Sequence, residues 1–393
     1  METELTGKKI LVTGGTGHLG SAIIHFLVNE KAVRPKDIRV FYLRDSPANS
    51  LNDISGLEFF AGNILNEEDV AHAFKNAQLI FHTVGSTTFD PRQKKLQWRV
   101  NVEGTRNVLN AALKSPTFEK LCYTSTVNVL GVPNPVGSIG NFETSNPYTN
   151  KPSQHSFNSR EEVLKFIEHT GRQEGNWWSE IGIGYYDSKL AAQELVNEYF
   201  ERHKLNVVSL LPGTMFGPYD YLIGTGLYLL SVYNNKMPAV IKEAGLPLAH
   251  VMDVASGQVL AIQKAAAGTQ YILSGKEEDN RSLKEMVQII AEELAKKFPA
   301  KKFYKEIYEV PFSMAYVAAF FSEQYAKHFD KPMLLSQDAV CAGRQPLFYT
   351  SAKAKRELSY EPQFTFRQAV SDMVDYYICN DLFEKKGRWI DRR

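Results

Sequence analysis

Cysteine is scarce, with three residues among 393, at positions 122, 341 and 379. So few, so widely separated, exclude a disulfide framework and a metal quartet. They read as reduced thiols of a cytosolic-type compartment, Cys122 lying inside an apolar, strand-like run. Long apolar runs are also missing, for no stretch reaches the roughly eighteen residues that a membrane-crossing helix needs. The nearest, Val310 to Phe321, is interrupted by Pro311 and Ser313 and allows no more than weak, reversible surface association. Charge of one sign is not in excess, since 45 Lys and Arg stand against 44 Asp and Glu. That balance removes the basic footprint expected of a nucleic-acid partner. A cationic, apolar leader is lacking before the first strand-like segment, so the expected location is cytoplasmic.

What the chain does have is a glycine-rich turn near its start. Thr13-Gly14-Gly15-Thr16-Gly17-His18-Leu19-Gly20 follows the apolar run Ile10-Leu11-Val12 and precedes Leu19, Ile23, Phe26 and Leu27 at helical spacing. Strand, tight turn and helix in that order aim backbone N–H groups and the positive end of the helix dipole at one point, where a pyrophosphate can sit. Glycine also serves ordinary turns and caps, so the flanking strand and helix carry the reading. The turn predicts a dinucleotide site, with Gly14, Thr16, Gly17, His18, Leu19 and Gly20 against the cofactor.

Strand-like and helical segments then alternate. Ile38 to Leu43 reads as a second strand, and the residue just beyond such a strand selects the cofactor, an acid favouring NAD and an arginine accepting the extra phosphate of NADP. Arg44 stands there, followed by Asp45. NADP(H) is therefore the preferred expectation, with NAD(H) as the alternative. Leu57 to Ala61 reads as a third strand, and the loop after it brings Asn63 and Ile64 towards an adenine ring. Leu79 to Thr83 reads as a fourth, ending in Val84-Gly85-Ser86, with Val84 as a further cofactor contact. His82, inside that apolar run, reads as a packed core histidine, and without a second ligand at suitable spacing no metal site is expected. A helix opening at Asn101, with Gly104 packed closely on the sheet, precedes a fifth strand at Lys120 to Tyr123, which runs into Thr124-Ser125-Thr126. This alternation predicts an α/β fold, a Rossmann-type doubly wound parallel sheet covered on both faces.

The second informative stretch is Tyr185-Tyr186-Asp187-Ser188-Lys189. Four residues apart on a helix, Tyr185 and Lys189 share a face, so an ammonium can stand near a phenol and lower its pKa from the ordinary value near 10. Taken alone this pair is commonplace. The glycine turn, the Asn101-Val102-Glu103-Gly104-Thr105 helix start, the hydroxyl-ended strand and the Tyr185/Lys189 pair, in that order, resemble the extended short-chain dehydrogenase/reductase family. The resemblance runs from about residue 8 to 275 and looks most like the branch of 3β-hydroxysteroid dehydrogenases and dihydroflavonol reductases. It implies Tyr185 as proton donor or acceptor, Lys189 on the nicotinamide ribose, and Thr126 polarising the substrate oxygen, with Ser125 as the competing hydroxyl. It also implies that Pro212, in Leu210-Leu211-Pro212-Gly213, meets the nicotinamide amide.

Thr126 and Tyr185 are 59 positions apart, about twice the separation that the family leads one to expect. The extra material, 137–182 with Trp177 and Trp178, reads as an insertion that is either a wall of the substrate pocket or a surface elaboration. The expected organisation is a cofactor domain over 1–215 and a smaller, mostly helical substrate-binding part over 216–393, with 250–275 returning to the sheet. The C-terminal aromatics, Phe312, Tyr316, Phe320, Phe321 and Tyr325 among them, accompany no Arg or Lys cluster and favour a bulky apolar substrate over a nucleotide sugar. The expected activity is NADP(H)-dependent interconversion of a carbonyl and a secondary alcohol on a steroid-, flavonoid- or terpenoid-like molecule. The alternatives are a nucleotide-sugar epimerase or dehydratase with tightly held NAD, and a non-catalytic NADP-sensing regulator. The helices at 101–114 and 188–200 are of the kind that builds homodimers in this family.

Overall fold

Strand β1 (Ile10–Thr13) shows how the chain lays down two cores at once. Successive side chains of a strand point to opposite faces, so Ile10 and Val12 join one cluster while Leu11 joins the other. The computed structural model describes residues 4–131, 133, 139, 183–331, 333 and 335–385. Around β1 lie β2 (Ile38–Tyr42), β3 (Glu58–Ala61), β4 (Leu79–His82), β5 (Lys120–Thr124), β6 (Val207–Pro212) and, far along the chain, β10 (Gln270–Leu273). All pairings are parallel, in the spatial order β3-β2-β1-β4-β5-β6-β10. Strand order reverses between β1 and β4, and the crevice beyond their carboxyl ends is where such sheets take ligands.

Helices cover both faces. Helix α1 (His18–Asn29) buries Leu19, Ile23, Ile24 and Leu27 with β1 and β2 on one side, where it packs against α7 (Val251–Lys264). On the other side lie α2 (Glu67–Ala73), α4 (Gly104–Lys114) and α5 (Gly184–His203). The helix expected to open at Asn101 begins earlier, with α3 (Lys94–Trp98), and a single wide turn over Arg99–Glu103 joins it to α4. Gly104 does pack closely, but against Ile64 of the β3 loop, whose Cγ2 a methyl group would meet at 3.0 Å. The second strand stops at Tyr42, one residue short of the expected end. Leu43 already belongs to a turn in which its carbonyl accepts from Ser46 N at 2.7 Å.

After β6 the alternation breaks. Strands β7 (Thr214–Phe216), β9 (Gly245–His250) and β11 (Asn280–Ser282) form a small separate sheet, and β8 (Ala239–Ile241) pairs with β12 (Tyr308–Val310). Helix α6 (Gly226–Tyr233) leads into a third core, built on Met286, Val287, Ile290 and Leu294 of α8 (Leu283–Lys297) and Val370, Met373 and Tyr377 of α12 (Phe366–Cys379). Ser282 and Glu285 form a reciprocal cap at the start of α8. Helix α9 (Phe312–His328) packs through small residues. Its buried residues are Ala315, Ala319 and Ala326, the first two packing with Val340 of α10 (Gln337–Ala342) and the half-buried Phe312, while Phe320, Phe321 and Tyr325 project outward, Phe321 being 65% exposed. The aromatic stripe is thus not core, because alanine supplies the packing face. Among the described residues no helix is long and apolar enough to cross a membrane.

Candidate functional site

Backbone contacts fix the shape of the glycine turn. Gly14 N and Gly15 N donate to Phe41 O at 2.8 and 3.3 Å, and Gly17 N donates to Gly14 O at 2.9 Å. Gly14 has φ of +73°, and a side chain on Gly20 would run into the carbonyl oxygen of Gly14. Both positions require glycine, one for its dihedral and one for contact between helix and turn. Helix α1 starts at the N-cap Gly17 with no side chain capping it and no acid in its first turn, so its leading N–H groups and dipole are left for an anion. Thr16 is buried, its hydroxyl 3.2 Å from Ser46 Oγ, which ties this turn to the one after β2. Leu19 is core. His18 Nε2 is buried with no hydrogen-bond partner among the described residues, and burial holds the ring's pKa below its ordinary value.

A second group converges at the carboxyl end of β4. A methyl group on Gly85 would lie 3.2 Å from Lys189 Nζ and 3.5 Å from Asn101 Oδ1, so the missing side chain leaves a polar recess. Lys189, from α5, is 5% exposed; its ammonium donates to Thr124 O at 2.9 Å and stands 5.5 Å from the centre of the Tyr123 ring. Burial brings its pKa down to about 8. The Asn101 side chain sits on the wide turn between α3 and α4. It accepts from Ser86 N at 2.7 Å and donates to Ser86 O at 3.0 Å and Ser188 Oγ at 2.9 Å. Sequence reasoning used Asn101 only to mark a helix start. Its lock between the β4 loop and α5 comes from tertiary geometry, which spacing does not reveal.

Tyr185 occupies the first turn of α5, half-buried between Phe89, 5.7 Å away edge to face, and Tyr186, 5.6 Å away. The Thr126 side chain is the polar neighbour that favours its ionised form. Thr126 heads the short turn Val127–Leu130, its Oγ1 also accepting from Asn128 N at 3.3 Å. Ser125 Oγ, by contrast, is buried with no partner among the described residues. Of the two hydroxyls, Thr126 is the one that stands against Tyr185. The electrostatics differ from the expected pattern. Burial pushes the Tyr185 phenol up to about 12, with only the Thr126 side chain pulling the other way. The lysine was expected to lower it, but desolvation dominates, and the ammonium is committed to the Thr124 carbonyl.

The remaining expected contacts are more dispersed. Arg44 is exposed in the turn after β2. Asn63 is exposed and turned to its own loop, its Oδ1 accepting from Leu65 N at 3.0 Å, while Ile64 is buried and its carbonyl accepts from Asn107 Nδ2 at 3.0 Å. Val84 lies against the turn, where a methyl group on Gly14 would meet its N at 3.1 Å. Pro212 ends β6, buried beside Leu273 of β10. His82 is a core residue, bonded to Thr13 and Thr105. The insertion, including Trp177 and Trp178, lies outside the described residues. Among the described residues there is no cluster of metal-ligating side chains.

An uncapped helix start behind a glycine turn, a buried imidazole nitrogen lacking a partner and a cationic recess at the end of the neighbouring strand fit a dinucleotide laid across the switch point. Sheet and glycine turn together define an NAD(P)-binding Rossmann fold. Comparison with known proteins agrees. Residues 11–169 match the 3-beta hydroxysteroid dehydrogenase/isomerase family and residues 182–273 the NAD dependent epimerase/dehydratase family. The chain is 26% identical over 371 residues to a putative dihydroflavonol 4-reductase of Synechocystis sp., covering 93% of each. It is 24% identical over 386 residues to a decarboxylating sterol-4-alpha-carboxylate 3-dehydrogenase of Candida albicans, covering 94% of this chain and 97% of that one. Its fold matches the crystal structure of gox2253 with a TM-score of 0.70 at 26% identity, covering 95% of this chain and 99% of that one. A dTDP-glucose 4,6-dehydratase of Bacillus anthracis, solved with NAD, matches in fold with a TM-score of 0.65 at 21% identity, covering 97% and 100%. These matches are to extended short-chain dehydrogenases/reductases, and among them the chain is similar to NAD(P)-dependent enzymes of the dihydroflavonol reductase and 3β-hydroxysteroid dehydrogenase type.

Proposed function

We propose that the chain interconverts a carbonyl and a secondary alcohol on a bulky apolar molecule, steroid-, flavonoid- or terpenoid-like, with NADP(H) as preferred cofactor and Tyr185 as general acid and base. The observation that carries this is the convergence of three groups: a buried Tyr185 phenol framed by Phe89 and Tyr186, the Thr126 side chain as its polar neighbour, and the buried Lys189 ammonium one helical turn along α5. The nicotinamide, when bound, supplies the hydride to the carbonyl carbon in reduction and takes it back in oxidation. Tyr185 holds its proton firmly at neutral pH and gives it to the substrate oxygen as negative charge builds there. The Thr126 hydroxyl donates to that same oxygen, a contact that strengthens as the charge develops. Lys189 would hold the nicotinamide ribose from the recess beside Gly85. Gly14, Gly17, Gly20 and the start of α1 would hold the pyrophosphate, with Ile64 and Val84 against the adenine and Pro212 near the carboxamide.

Arg44 supports NADP(H), because an exposed guanidinium beyond β2 can pair with the phosphate that distinguishes it. Relatives named for dihydroflavonol and sterol substrates support the apolar class. The proposal includes a cofactor domain over 1–215, a substrate-binding part over 216–393, a cytoplasmic location and pairing of two copies through α4 and α5. Cell fractionation tests the location and light scattering the pairing. The function is tested by measuring NADPH and NADH consumption against steroid, flavonoid and terpenoid ketones and simple aldehydes. The expected outcome is NADPH-dependent reduction of at least one hydrophobic ketone. NAD released from the denatured protein, with no net cofactor consumption in the screen, would instead favour an epimerase or dehydratase.

A further inference from the structure

The helix that carries Tyr185 begins without a cap of its own. The first N–H groups of any helix lack intrahelical partners and are ordinarily met by Ser, Thr, Asp or Asn at the N-cap. Here the N-cap is Ile183, a fully buried apolar residue that makes no side-chain bond to the helix. An acceptor arrives from 154 positions away, where Asp338 Oδ2 takes the Gly184 N–H at 3.3 Å. The carboxylate is fixed by Lys94 of α3, whose Nζ lies 3.0 Å from Oδ1 and 2.9 Å from Oδ2. Gly184 leaves no slack, for a methyl group there would meet Lys94 Cγ at 2.6 Å and Gln97 Oε1 at 3.1 Å. Asp338 is itself held, since α10 starts with Ser336 Oγ accepting from Ala339 N at 3.0 Å and with Glu323 of α9 accepting from Gln337 N at 2.6 Å. The negative charge also faces the positive end of a 20-residue helix, where it is favoured.

We propose that Asp338 is a positioning residue for Tyr185, a helix cap delivered from the C-terminal part of the chain so that the docking of α9 and α10 sets the first turn of α5. The inference rests on Tyr185 being the proton donor. Tyr185 immediately follows Gly184, so fraying at the cap displaces the phenol directly, whereas the glycine turn at the end of β1 belongs to other elements. Loss of the cap should therefore lower turnover and spare cofactor affinity.

The test compares Asp338→Ala, Asp338→Asn and Tyr185→Phe in the full chain. Three readouts are needed: NADPH affinity by fluorescence titration, kcat and KM with dihydroquercetin and dehydroepiandrosterone as probes, and amide hydrogen exchange over residues 183–190. In Asp338→Ala exchange in the first turn of α5 should quicken roughly fivefold, and kcat should fall roughly tenfold through misplacement of the phenol. NADPH affinity should stay within about twofold, because the pyrophosphate contacts lie elsewhere. Asp338→Asn keeps a carbonyl acceptor towards Gly184 and should restore both exchange and turnover to within about threefold. Unchanged exchange in the alanine variant, equal losses of kcat in the alanine and asparagine variants, or a parallel loss of NADPH affinity would each overturn the proposal. Full turnover in Tyr185→Phe would sink the proton-donor reading instead. The exchange data would then still decide whether Asp338 caps the helix, as they would if neither probe were turned over.

Discussion

Acid should weaken this fold through one buried ring beneath the site. His82 is 1% exposed, its Nδ1 2.7 Å from Thr13 Oγ1 and its Nε2 3.1 Å from Thr105 Oγ1. The Thr105 hydroxyl gives its proton to the Asn101 carbonyl at 2.6 Å, so it accepts from Nε2–H, Nδ1 accepts from Thr13, and the ring is neutral. Burial, reinforced by the Lys189 charge, pushes its pKa from 6.5 down to about 3. An unfolded chain takes up a proton at this ring below pH 6.5, which the folded chain refuses until about pH 3. The stability it contributes is therefore complete above pH 6.5 and drains as pH falls, at about 1.4 kcal/mol for each pH unit. By about pH 4.5 the loss amounts to about 2.7 kcal/mol. His82→Gln can bond both threonines without titrating, so it should lose about 2.7 kcal/mol less than the parent between about pH 7.5 and pH 4.5. For a chain of this size that corresponds to roughly 3 °C in the difference between the two thermal midpoints. Thermal unfolding of both proteins at the two pH values measures it, and the His82 Cε1 proton resonance reads the ring directly. Equal acid losses in the two proteins, or a His82 resonance that titrates near pH 6.5, would refute the reasoning.

The other predictions concern the chemistry. Tyr185→Phe should cost about 10²- to 10⁴-fold in turnover while NADPH still binds, and full activity would remove Tyr185 from the mechanism. Carbonyl reduction should keep its proton donor across neutral pH, because the Tyr185 phenol sits at about 12, and should decline as pH rises through about 8, where Lys189 loses its charge. A rate that stays level through that range would contradict the role given to Lys189. Arg44→Asp should move preference towards NADH by roughly tenfold, and an unchanged ratio of kcat/KM values would refute its part in selection. Gly20→Ala forces a methyl group onto the Gly14 carbonyl and should abolish dinucleotide binding in a titration while the circular dichroism of the sheet persists.

The parallel sheet was readable because each strand is short, apolar and bounded by turn residues, and because burial on both faces permits continuous runs such as Leu79-Ile80-Phe81. Local signals of that kind survive in a linear string. The helix that carries Tyr185 and Lys189 was readable for the same reason. Helix α9 was not, because hydrophobic periodicity assumes that large apolar side chains face inward, and here three alanines take the inner face. The wide turn at Arg99–Glu103 was also missed, since its one extra residue per turn leaves no mark in composition, although it carries Asn101 to both Ser86 and Ser188.

At the site, spacing located the groups but could not rank the forces between them. A phenol and an ammonium four residues apart suggest Coulomb attraction between phenolate and cation, and on a solvated helix that is all there is to weigh. Once α5 lies against the sheet, each group also loses water. Desolvation then acts on the two in opposite directions, raising the acid and lowering the base, so both are driven towards their neutral forms. The pair is therefore more than two charges held face to face. It is a proton kept on oxygen until a substrate oxygen offers it a better place, beside an amine whose charge is cheap to alter. The partner that offsets the cost at Tyr185 is the Thr126 hydroxyl, which sits at the end of β5, 59 positions before it in sequence. Which of two adjacent hydroxyls faces the phenol depends on the strand ending at Thr124 and the chain turning at Thr126. The doubt between Ser125 and Thr126 was thus a question about one residue of strand length.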